Sequence, residues 1–121
     1  MLTRTGSFVL LALALTWTVA PLLGAPAETT VQITVREFRF DPKEVTVKPG
    51  DLSFVVKNVG EIEHNFVIED AAAKKVTEIA SILPDRSEQV RVTLRAGKYT
   101  IVCSLPGHKD AGMVATLTVK E

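Results

Sequence analysis

At 121 residues the chain is long enough for one domain, and its 14 Lys+Arg against 14 Asp+Glu leave a formal net charge of +0. That balance argues against a function that rests on non-specific attraction to nucleic acid or to an anionic membrane surface. With 46% apolar and 23% charged residues, the composition is that of a chain able to bury a core rather than of a disordered tail.

The first residues stand apart from the rest. Arg4 gives a short positive start, Phe8 to Leu15 is an unbroken apolar run, and apolar character continues to Leu23. Ala25-Pro26-Ala27 fits the small-residue cleavage pattern. Residues 1–27 therefore read as a secretory signal peptide and 28–121 as the mature domain. The alternative is an uncleaved anchor, but the run from Phe8 to Leu23 is short for a membrane span and contains Pro21. Removing Arg4 with the leader leaves 13 Lys+Arg against 14 Asp+Glu, a net charge of −1. Export normally invites disulfides. Cys103 is the only cysteine, so no internal bridge is possible, and an unpaired exported thiol needs another purpose, such as metal ligation.

From Thr30 the pattern has period two. Val31, Ile33 and Val35 alternate with polar residues as in a half-buried strand, and Phe38 and Phe40 extend the apolar series to Asp41-Pro42. Val45 and Val47 make a short strand closed by Pro49-Gly50-Asp51, after which Leu52, Phe54 and Val56 alternate. Asn58 to Glu63 reads as a loop. His64, Phe66 and Ile68 then share one side of a strand, so the imidazole points inward at the strand's start. Glu69 to Gln89 is the least regular region. A helical turn is expected over Ala71–Lys75, with Ile79, Ile82 and Leu83 covering an edge of the core. Val90, Val92 and Leu94 form the next strand. Tyr99, Ile101 and Cys103 follow on one face, and Met113, Ala115, Leu117 and Val119 on another. Short strands without a sustained helical period predict an all-β fold, a small antiparallel Greek-key sandwich or barrel of seven to eight strands.

The chemistry concentrates between Cys103 and Met113, in C-S-L-P-G-H-K-D-A-G-M. This stretch holds the only cysteine, one of two histidines and the only methionine besides the initiator, at spacing C-x4-H-x4-M. Two imidazoles, one thiolate and a weak axial thioether are the ligand set of a blue-copper centre. The second imidazole is available from His64. Cys103 ends one strand, Met113 begins another and His64 begins a third, so His64, Cys103, His108 and Met113 can meet at one pole and hold one copper ion. Asn65, beside His64, could tie the first ligand strand to the Cys103 loop. Pro106 stiffens that loop, and Gly107 and Gly112 permit backbone angles that other residues resist.

These residues, supported by F-R-F-D-P, V-K-P-G-D, E-H-N-F and A-G-K-Y-T-I-V-C, resemble the cupredoxins, the blue-copper proteins of the plastocyanin and azurin group. The likeness runs over nearly all of residues 30–120. It implies a Greek-key β-sandwich and copper ligation by His64, Cys103, His108 and Met113. The ligand-loop spacing is similar to that of rusticyanin. The resemblance also implies an electron route through His108, with Leu105, Pro106, Gly107 and Ala111 around it as a docking patch for redox partner proteins.

The expected function is an exported, periplasmic or extracytoplasmic carrier of single electrons. It is expected to be monomeric, with no nucleic-acid partner and no membrane insertion after cleavage. The alternative is a copper-handling protein, a chaperone or buffer, although no Met- or His-rich tail is present. A copper enzyme is disfavoured, because further copper centres need more imidazoles than the two available, and a binuclear one needs a second cysteine.

Overall fold

A computed structural model describes residues 17–24 and 27–121. The leader expected over residues 1–27 lies largely outside the described residues. Among those described, no helix is long and apolar enough to cross a membrane.

Nine strands follow in order: β1 (Thr29–Arg36), β2 (Arg39–Asp41), β3 (Glu44–Val47), β4 (Gly50–Asn58), β5 (His64–Glu69), β6 (Lys75–Ile82), β7 (Ser87–Leu94), β8 (Gly97–Val102) and β9 (Val114–Val119). They form two sheets, ordered β2-β1-β4-β7 and β3-β9-β8-β5-β6. The sheets pack as the expected all-β sandwich, because each strand's alternation supplies one apolar face. Ile33 and Val35 of β1, Phe54 and Val56 of β4, and Phe66 and Ile68 of β5 are all buried. Phe66 joins the layers: its ring lies 5.5 Å from that of Phe54 and 6.1 Å from that of Phe40, both on the opposite sheet.

Several expectations need correction. Nine strands stand among the described residues, against the expected number of about seven to eight, and the pairing is not uniformly antiparallel, since β1–β4 and β3–β9 are parallel. Alternation marks a strand but not its neighbour. Residues 71–75 are not helical. The Asp70 carboxylate accepts from the amides of Ala72 and Lys74 at 2.9 and 3.0 Å, and Ala73 takes a φ of 57°. An aspartate that satisfies nearby amides holds a turn open against helix. The region after it is a strand, β6, with Ile79 and Ile82 buried, followed by exposed Leu83. Phe38 does not continue the inward face of β1. It sits with Glu37 in the turn between β1 and β2 and is 39% exposed.

Candidate metal centre

β5, the end of β8 and the start of β9 converge at one pole. His64 opens β5 with no exposed surface. Its pairing partner is Ile82, while Phe66 pairs with Ile79, so β6 carries a bulge opposite the histidine. A bulge re-aims neighbouring side chains and is a recurring device beside functional sites. Cys103 follows β8 and Met113 precedes β9, and the Cys103 amide donates to the Met113 carbonyl at 3.2 Å. Between them the loop turns back on itself. The His108 amide donates to the Leu105 carbonyl at 3.1 Å, and the Met113 amide to the His108 carbonyl at 3.2 Å. Gly107 and Gly112 adopt φ of 79° and 100°, the region glycine enters without strain.

His64, Cys103 and His108 each offer a ligand atom, and these atoms all lie within 4.8 Å of one another. His108 Nδ1 is 3.4 Å from Cys103 Sγ, and the two imidazole centroids are 5.2 Å apart. Met113 is fully buried and packs in the same core cluster as Cys103. All four residues singled out from the sequence therefore belong to one pole, three of them with ligand atoms in reach of each other.

The surrounding residues fix this arrangement. The Asn65 amide donates to Cys103 Sγ at 3.4 Å. The Asn65 side chain grips Ser104 in both directions: its Nδ2 donates to Ser104 Oγ, and its Oδ1 accepts from the Ser104 amide, each at 2.8 Å. Asn58, fully buried at the end of β4, donates to the carbonyls of Ile62 and Ile82 at 2.8 Å and accepts from the Gly60 amide at 2.9 Å. It thereby shapes the loop that delivers His64.

Sequence reasoning missed Asn58, read only as the start of a loop, and two residues of the β1–β2 turn. Phe38 packs edge-on against the His108 ring, with centroids 5.0 Å apart and planes at 76°. Glu37 Oε1 lies 3.2 Å from His64 Nε2 and accepts from the amides of Glu61 and Ile62 at 2.9 and 3.1 Å. Desolvation opposes the charge on Glu37. The amides of Ile62, of Glu37 itself and of Glu61, with the His64 ring, outweigh it and hold the carboxyl below the usual carboxylate range.

His64 Nδ1 is buried and has no hydrogen-bond partner among the described residues. Buried polar atoms are nearly always paired, so an orphaned nitrogen on a ring clustered with a buried, free cysteine calls for a ligand. Two imidazoles and one sulfur fit copper by their chemistry.

The profile of the cupredoxin-like domain matches residues 7–119. The chain belongs to the cupredoxin-like family. The family's cofactor is one copper ion, and this cupredoxin carries a donor set that fits it. It is similar to the copper-resistant cuproprotein CopI of Rubrivivax gelatinosus, 33% identical over 114 residues, covering 79% of this chain and 69% of that protein. It is also similar to the copper-resistant cuproprotein CopI of Pseudomonas aeruginosa, 25% identical over 146 residues, covering 83% and 81%. Among solved structures, dithionite-reduced auracyanin from Roseiflexus castenholzii superposes with a TM-score of 0.71 at 26% identity, covering 79% of this cupredoxin and 100% of auracyanin. Auracyanin A of Chloroflexus aurantiacus, a blue copper protein, shares the fold with a TM-score of 0.70 at 22% identity, covering 78% and 100%.

Proposed function

We propose that this cupredoxin is an exported mononuclear copper protein that carries single electrons between redox partners. The observation that carries the reading is the cluster of His64, Cys103 and half-buried His108, whose ligand atoms lie within 4.8 Å of one another, together with a buried His64 Nδ1 that has no hydrogen-bond partner among the described residues. His64 and His108 would hold the ion through neutral ring nitrogens and Cys103 through its sulfur, with the Met113 thioether as a further, weaker donor. The ion, when bound, supplies Cu(II)/Cu(I) chemistry. The chain's part is to hold the donors still: the Asn65–Ser104 clasp, the Asn58-ordered loop and the sandwich leave little to rearrange when an electron arrives or leaves. His108 is the ligand nearest solvent, half-buried beside exposed Pro106 and Ala111, and makes the point of electron entry and exit where redox partners dock. With two imidazoles in the whole chain, catalysis at a second copper centre has no ligands to use.

A second reading has its own support. The CopI relatives are copper-resistant cuproproteins, which fits a role in copper handling outside the cytoplasm. The site's burial favours the carrier, because a chaperone exposes ligands for exchange.

The test is colour and reversibility. Mature protein given Cu(II) is expected to develop intense thiolate-to-copper absorption and to titrate reversibly between two redox states, while Cys103→Ser stays colourless. A colourless Cu(II) complex of the wild type overturns the site. Rapid loss of copper to a chelator, with slow electron exchange, would select the copper-handling reading instead.

A further inference from the structure

One oxygen of Glu37 gathers three contacts from the loop before β5 and the histidine that follows it. The amides of Glu61 and Ile62 point at Oε1, and His64 Nε2 meets the same atom. A backbone amide can only donate, so Oε1 is committed as an acceptor. Nε2 must therefore carry the ring proton, which leaves the lone pair on Nδ1. The reverse tautomer would set the lone pair of Nε2 against those of the carboxylate.

The contact also spans the sandwich. Glu37 leaves the sheet β2-β1-β4-β7, whereas His64 opens β5 in the other sheet. The carboxylate lies so close over Gly60 that a Cβ there would collide with Oε1. Residue 60 is thus the floor on which the carboxylate rests.

We propose that Glu37 is the positioning residue for His64, fixing the ring as its Nε2–H tautomer, presenting Nδ1 to the copper ion and, through its negative charge, favouring the oxidised ion. The role of Nδ1 rests on the copper site proposed above; the tautomer does not. Carboxylates placed behind metal-bound imidazoles raise ligand basicity, and their loss typically lowers metal affinity about 10- to 100-fold.

The experiment has two readouts. In metal-free protein at mildly alkaline pH, nitrogen-15 NMR of the His64 ring is expected to show the Nε2–H tautomer. Glu37→Gln keeps it, because the amide oxygen still accepts, whereas Glu37→Ala populates both forms. In copper-loaded protein, Glu37→Gln is expected to stay blue and to rise in potential, by about 59 mV for each tenfold loss of Cu(II) affinity relative to Cu(I). An Nδ1–H tautomer in the wild type, or an unchanged tautomer balance in Glu37→Ala, overturns the positioning role. An unchanged potential in Glu37→Gln overturns the electrostatic one. If the wild type fails to bind copper, the proposed site falls, while the metal-free NMR result still decides how Glu37 orients the ring.

Discussion

The backbone amide of Asn65 points at the sulfur of Cys103 across 3.4 Å, and the side chain of the same asparagine locks the residue that follows that sulfur. One residue thus contacts the sulfur and holds the position of the loop that carries it. Asn65→Ala removes the two bonds to Ser104 and keeps the amide. Ser104 is exposed, so water takes up its freed groups, and the loss is expected to be about 1–2 kcal/mol. Urea unfolding of the metal-free protein reads it as a lower midpoint at unchanged slope. A looser amide donates less to the sulfur and withdraws less charge from it, which disfavours the reduced ion. The potential of the copper-loaded variant is therefore expected to fall, and a rise would contradict the role given to the N–H···S contact.

Met113 separates packing from ligation. It is fully buried in the core cluster beside Cys103. Leucine nearly conserves its volume, so Met113→Leu is expected to cost less than about 1.5 kcal/mol. If the thioether is the weak donor proposed for it, its removal takes away a group that favours Cu(II), so the potential is expected to rise while the blue colour persists. Redox titration and visible absorption measure both on one sample. A fall in potential would exclude Met113 as the axial donor.

Phe66 shares β5 with His64 and bridges the two sheets through Phe40 and Phe54. Phe66→Ala would leave a large cavity in a fully buried place and cost about 3–5 kcal/mol, a large part of a small domain's total stability. The thermal midpoint of the metal-free protein is expected to drop steeply. Copper bound only by the folded state would restore part of it, and that rescue grows with free copper concentration. A rescue independent of copper concentration would mean that the ion does not bind the folded site selectively.

The ligand pole was legible because its residue types are rare and the strand phase points them inward. His64 stands in phase with Phe66 and Ile68, and Cys103 with Ile101. Asn65 could be placed by adjacency alone. Glu37 was not legible in that way, since its contact to His64 spans 27 residues and crosses between sheets. A signal did exist. Val31, Ile33 and Val35 are odd-numbered, and the next position in that phase is Glu37, an acid where an apolar residue was due. Phe38 and Phe40 fall on even positions, so the apparent continuation of the strand was a phase slip that marks the turn. The parallel pairings of β1 with β4 and β3 with β9 left no mark in the alternation, because either neighbour would bury the same face.

Gly60 gives an independent handle on the Glu37 clasp without touching the carboxylate or the ring. A Cβ at this position would collide with Glu37 Oε1 and lie 2.8 Å from Cδ and 2.9 Å from Oε2. No residue could remain at those distances, so in Gly60→Ala the Glu37 carboxyl must swing away and release the amides of Glu61 and Ile62 together with His64 Nε2. The variant is expected to reproduce the mixed His64 tautomers of Glu37→Ala in the metal-free protein. Because both changes break the same contact, their effects are expected not to add. The double variant Gly60→Ala/Glu37→Ala has no carboxylate left to displace, and its tautomer balance is expected to match that of Glu37→Ala alone. A further shift in the double variant would mean that Gly60 acts on His64 by a route that bypasses Glu37.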